Sequence, residues 1–145
     1  MESENSGSIY IISSVHNIML LISGAYVSDI VPIPEIKRTV PHSPAYISGI
    51  CNSYSRNIAM IDLAILLELN NTGISDRNSM MIIISKDSRK IGLLVDRVLS
   101  IEPFDNILQN GKSPFVNNFI SNICTLKNTN EIAMELDIPG ILSKI

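Results

Sequence analysis

A chain of 145 residues has room for one domain, or for two very small lobes sharing a core. Hydrophobic residues make up 46% and charged residues 17%, against about 25% charged in an average soluble domain, so the chain is too apolar for disorder and its surface carries little charge. A net charge of −3, a pI near 5.3 and the lack of any Lys/Arg run exclude binding to nucleic acid through phosphate neutralisation.

Taken in order, Met1 to Ser8 is acidic and polar, the reverse of a signal peptide's basic start, and reads as a disordered tail. Ile18 to Ser23 and Tyr26 to Val31 are rich in aliphatics and meet at Gly24-Ala25, the pattern of a hairpin with a tight turn. Pro32, Pro34, Pro41 and Pro44 crowd a stretch that cannot form a central strand and is expected as a surface loop or edge. Tyr46 to Cys51 (YISGIC) and Arg56 to Asp62 read as strands, and Asp62 is a good N-cap for a short helix near 62–69. Polar residues 70–78 form a linker. Met81 to Ser85 and Ile91 to Asp96 form a second hairpin through residues 86–90. The later strands are Phe119 to Cys124 (FISNIC) and Ile132 to Met134. Asp137-Ile138-Pro139-Gly140 leaves room for at most a turn of helix.

YISGIC and FISNIC lie 73 positions apart, and Ile58-Ala59-Met60 recurs 74 positions later as Ile132-Ala133-Met134. Two matches in the same order indicate an internal duplication. Short strands in two copies, each too small for a large core, predict an all-β fold of two small five-stranded barrels packed on one another, because closure removes exposed edges. The expected organisation is a tail at 1–8 and a single domain at 9–145. Lobe one spans about 15–70 and lobe two about 79–142, with strands free to exchange between them.

Residues for chemistry are sparse. Cys51 and Cys124 sit at matching points inside apolar strands and are expected buried and reduced. His42 lies in a proline-flanked turn, and Gly111-Lys112-Ser113 lacks the upstream glycine of a phosphate loop, where Asn106 stands instead. Asp62, Asp96 and Asp137 each follow an apolar strand, where aspartate caps the next element or holds a turn. No catalytic, metal-binding or cofactor-binding residue is expected. Apolar runs of five or six residues fall far short of the ~20 needed to cross a bilayer, which points to a cytoplasmic chain without membrane insertion.

The segments Ile91–Val98, Val40–Ile50, Ile58–Leu63 and Ile30–Ile36 together resemble the CheW family of chemotaxis coupling proteins. Ile91-Gly-Leu-Leu-Val-Asp-Arg-Val98 resembles the family's GLLVDxV. Val40-Pro-His-Ser-Pro44-Ala-Tyr46-Ile-Ser-Gly49-Ile50 resembles VPxxPxYIxGI. Ile58 to Leu63 resembles a strand ending VxDL, and Ile30 to Ile36 resembles VxxVxEV. The resemblance runs from about residue 17 to 142. It implies SH3-like barrels around a shared core and a non-catalytic adaptor at receptor arrays on the inner face of the membrane. The implied partners are the regulatory domain of a CheA-type histidine kinase and the cytoplasmic tip of chemoreceptors. Carried over for the receptor groove are Ile33, Glu35, Gly49, Tyr54, Met80, Val98 and Ile101; no residue is assigned to kinase docking. Core packing is the competing role for Ile33, Met80, Val98 and Ile101, and a structural role for Gly49.

Departures from the family pattern keep other readings open. Tyr54 stands where the family has an arginine that pairs with the glutamate matched by Glu35, leaving Glu35 to solvent, Tyr54, Arg56 or Arg38. The loop after Ile36 is short, and Asn122 replaces a glycine. A divergent scaffold for another chemosensory circuit, such as surface (pilus) motility, is the alternative; a small-ligand-binding regulatory barrel is a further one.

Overall fold

The computed structural model describes residues 8–34, 43–53, 56–69, 80–111 and 119–145. Residues 1–7 of the expected tail, Glu35, Arg38, His42, Tyr54, the 70–78 linker and Lys112-Ser113 lie outside the described residues. The first half contributes β1 (Ile9–Val15), β2 (Ile18–Ser23), β3 (Val27–Pro32), β4 (Ile47–Ser53), β5 (Arg56–Asp62) and helix α1 (Leu63–Leu66). The second contributes β6 (Met80–Lys86), β7 (Arg89–Val95), β8 (Arg97–Pro103), β9 (Ile107–Gly111), β10 (Ile120–Leu126), β11 (Ile132–Leu136) and helix α2 (Ile138–Lys144).

The first hairpin is β1–β2, not the expected pairing across Gly24-Ala25. Its two-residue turn places His16 at φ 52° and Asn17 at φ 67°, the left-handed pair that matches the twist of antiparallel strands. Asp87 (φ 53°) and Ser88 (φ 71°) do the same in β6–β7. At Gly24 the chain instead passes through a 3-10 turn, Gly24–Tyr26, and carries β3 into the other sheet. A Cβ on Gly24 would lie 2.7 Å from Ile9 Cγ1 and 3.0 Å from the Ile9 carbonyl, so the glycine permits that close crossing.

One sheet runs β8-β1-β2-β11-β10-β9 and the other β3-β6-β7-β5-β4. Each hairpin therefore sits among strands of the opposite half. β1–β2 is flanked by β8 and, in parallel, by β11; β6–β7 is flanked by β3 and, in parallel, by β5. The two sheets are related repeats, and among the described residues β9 is the addition in the six-stranded one.

The pairing corrects the register of the duplication. Cys51 faces Ile58 across β4–β5, and Cys124 faces Ala133 across β10–β11. Ile58 thus corresponds to Ala133, one residue away from the Ile-Ala-Met match. A one-residue slip moves every side chain to the other face, so Ile58 is 1% exposed whereas Ile132 is 66% exposed. The chain preceding β11 is longer than that preceding β5, and register is restored at the aspartates. Asp62 donates its N–H to the Tyr46 carbonyl and Asp137 donates to the Phe119 carbonyl, both at 2.8 Å.

Three apolar clusters result. Ile58, Met60, Met81, Ile83 and Leu94 fill one barrel with Cys51, while Tyr10, Ile12, Leu21, Leu126 and Ala133 fill the other with Cys124. The third, between the sheets, takes Ile11, Leu20, Ile22, Ile82, Ile84, Leu93 and the apolar faces of both helices. Strands buried on both faces read as unbroken aliphatic runs, which is why Met80 to Ser85 lacks polar alternation.

Both cysteines are free and buried. Burial, and secondarily the Glu135 charge, pushes the Cys124 thiol from 9.0 up to about 12. Burial and then Glu135 likewise raise Tyr10 from 10.0 to about 12. The folded state keeps both protons where the unfolded chain loses them, so stability is fully present below about pH 9 and falls as pH rises toward 12. Each group contributes a slope of up to ~1.4 kcal/mol per pH unit within its window. Urea unfolding at pH 8 and 10.5 should show the loss, and Cys124→Ala should make the slope shallower. An unchanged slope in that variant would remove Cys124 from the account.

Helix α2 is longer than the single turn expected from Pro139-Gly140. Both residues fall in its first turn, where proline's missing N–H has no intrahelical role, and Asp137 Oδ1 accepts the Gly140 N–H at 3.1 Å. At the other end the Arg89 guanidinium donates to the Leu142 carbonyl, covering an acceptor left open in the last turn. Arg89→Met is expected to lower stability by about 1 kcal/mol, measured by urea unfolding. No change would show the contact is dispensable.

Candidate docking surfaces

All three strand-end aspartates are committed to backbone donors. Asp62 Oδ1 accepts the Ile65 N–H at 3.2 Å and starts α1, as Asp137 starts α2. Asp96 is buried after β7; its Oδ2 accepts the His16 N–H at 2.8 Å, and its own N–H donates to the Ser14 carbonyl at 2.9 Å. These bonds hold the β1–β2 turn in its left-handed conformation. Among the described residues no group of three or more His, Cys, Asp and Glu is placed to hold a metal ion.

Glu135, missed in the sequence, joins three other side chains. It corresponds to the fully buried Met60 of the other repeat, since Glu135 pairs with Leu21 as Met60 pairs with Gly92. Its carboxylate accepts from Gln109 Nε2 and Asn122 Nδ2, each at 3.0 Å, and more weakly from the Tyr10 hydroxyl at 3.4 Å. One side chain thereby ties β11 to β1, β9 and β10. Asn122 stays out of the left-handed region and sits beside a register shift in β10. Gly49 is buried at the equivalent shift in β4, also without positive φ.

The residues carried over for the receptor groove fall in several environments. Ile33 is half-buried against the barrel cluster of Cys51, just beyond the Pro32–Met80 pair that joins β3 to β6. Met80 and Val98 pack partly on the core between the sheets. Ile101 is 58% exposed on β8. β8 is an edge strand, and Arg97, Leu99, Ile101 and Pro103 alternate outward along it. Glu35 and Tyr54 lie outside the described residues.

A second apolar surface lies at the β1–β2 turn end of the six-stranded sheet. An open cleft of about 680 Å³ is lined by Ile18, Met19, Ile123, Ile132 and Met134, with Asn17 and Glu131 at its polar margin. Its signal was present in the sequence. Counting outward from Cys124 and Asp137 rather than from the Ile-Ala-Met match would have placed Ile132 outside.

The chain matches the family model of the CheW-like domain over residues 10–145. Among solved structures it is similar to the scaffolding protein TtCheW from Thermoanaerobacter tengcongensis, at 23% sequence identity and a TM-score of 0.75, with 90% of this chain and 89% of that one covered. At that identity the likeness speaks for the fold, two SH3-like barrels sharing a core. Comparison with curated proteins gives no match.

Proposed function

Because the chain belongs to the CheW-like family, we propose that it is a non-catalytic adaptor of chemotaxis signalling that couples chemoreceptors to a CheA-type histidine kinase. The continuous family match over residues 10–145 carries this reading. The outward apolar positions of β8 support it, since an edge strand bearing Leu99 and Ile101 suits a partner surface better than water. The receptor contact is assigned to Ile33, Met80, Val98 and Ile101, together with Glu35 and Tyr54, with Gly49 in a structural role at the register shift of β4. No helix among the described residues is long and apolar enough to cross a membrane; the proposed location is the receptor array at the inner membrane face.

A second reading keeps the fold and changes the circuit, and Tyr54 at the position of the family's arginine favours it. Calorimetric titration against the isolated regulatory domain of the host's CheA-type kinase decides whether the chain is a kinase adaptor. Saturable one-to-one binding is expected; absence of binding to every such kinase of the host would end the coupling reading. For the receptor face, Ile101→Arg should weaken binding to a receptor tip by about tenfold with an unchanged melting temperature, because the side chain is more exposed than packed.

A further inference from the structure

The two repeats differ in surface character at the turn end of each hairpin. The parallel pairs Leu20–Met134 and Ile91–Ala59 set the correspondence. Ile18, Met19, Ile123, Ile132 and Met134 of the cleft then match Arg89, Lys90, Ile50, Asn57 and Ala59. The fold itself therefore does not require so apolar a rim here, since the other barrel keeps only Ile50 as a large apolar residue at these places and carries Arg89, Lys90, Asn57 and Ala59 at the rest. Ile132 is the most exposed large hydrophobic side chain among the described residues, and its counterpart is an asparagine.

We propose that this cleft is a second docking surface, separate from the β8 face, for a protein segment that presents two adjacent large apolar side chains beside a lysine or arginine. The charge of the segment follows from the lining. Glu131 is the cleft's only charged residue among the described residues, it is exposed, and it also borders the adjoining depression formed by Ser14, Asn17, Asp96, Arg97 and Leu99. A basic group beside the apolar pair meets Glu131, while an acidic one meets like charge. A symmetric contact between two copies would bring two Glu131 carboxylates and two chains of net charge −3 together. An anionic lipid surface is repelled by the same carboxylate. A small molecule gains little from an open trough, since ligand sites enclose most of their ligand.

The test uses the full chain with labelled isoleucine methyl groups and two short synthetic peptides, one carrying Leu-Leu-Lys and the other Leu-Leu-Glu at the same place. Shifts are expected at the Ile18, Ile123 and Ile132 methyls with the lysine peptide, and binding at least tenfold weaker with the glutamate peptide. Glu131→Lys should reverse that preference. Ile132→Asn should abolish binding and leave the melting temperature unchanged. The proposal is overturned if those methyls do not respond at millimolar peptide, or if Glu131→Lys leaves the preference as it was. Shifts at the same methyls that depend on protein concentration without peptide would make a second copy the occupant and overturn it too. Kinase-domain titration of the same Ile132→Asn variant separates the two proposals. Retained kinase binding with lost peptide binding upholds this cleft as a distinct surface, and retained peptide binding in wild type without kinase binding ends only the coupling reading.

Discussion

Cleaving the chain between Leu69 and Met80 and separating the pieces should leave neither piece folded, whereas mixing them restores one cooperative unit. Each half on its own keeps only local pairings. The first retains β1–β2 and β4–β5 and leaves β3 without a neighbour; the second retains β6–β7 and β9–β10–β11 and leaves β8 without one. The ladders β1–β8, β2–β11, β3–β6 and β5–β7 all join one half to the other. An isolated two-stranded hairpin is marginal in water, and the core cluster that holds Leu20, Ile22, Ile82 and Ile84 draws its residues from both halves. Circular dichroism of each purified piece and of the mixture measures the effect. Cooperative unfolding of either piece alone would show that the exchanged strands are not what closes the barrels.

Gly92→Val is expected to lower stability by about 3 kcal/mol, a large fraction of the 5–15 kcal/mol typical of a domain. A Cβ at residue 92 would lie 2.3 Å from Met81 Sδ and 2.7 Å from Met81 Cγ. Met81 is fully buried and packed with Ile83, Met60 and Leu94, so it has no open direction in which to yield. The other barrel solves the same site differently, with Leu21 at the position of Gly92 and Glu135 at that of Met60. Met81→Ala alone opens a cavity and should lower stability by roughly 2–5 kcal/mol. Combined with Gly92→Val, it should lower stability by clearly less than the sum of the two. Strict additivity in urea unfolding would show that the introduced valine side chain does not meet Met81.

Much of the fold was legible locally. Continuous aliphatic runs marked strands buried on both faces, Asp62 marked a helix start, and Pro32 falls at the end of β3, an edge strand. The hairpin misplaced at Gly24-Ala25 shows where local reading stopped. Gly24 is needed for a close crossing over Ile9, and a glycine that permits an approach reads the same as one that permits a turn. The true turn, His16-Asn17, carries no glycine and is held left-handed by Asp96, a residue 80 positions away. Pro139-Gly140 read as a break because the chain's length past Asp137 does not reveal that both residues occupy the first turn.

The candidate surfaces divided in the same way. The β8 residues were reached through the family resemblance, and their outward alternation needed the sheet edge to be known. The cleft escaped because the Ile-Ala-Met match, real as sequence, is one residue out of phase with the strand pairing.

The amino-acid sequence by itself determined the all-β class, the duplication, the buried cysteines, the capping aspartates and the family. The class, the cysteines and the aspartates rest on residue type and spacing over a few positions, where local physics acts; the duplication and the family rest on short motifs matched along the whole chain. Only the tertiary structure decided that each hairpin joins the opposite half, that Glu135 rather than an apolar residue ties four strands, and that Ile132 faces outward. Those depend on which strand lies beside which. A period of two along each strand cannot fix its register against a neighbour far away in the chain.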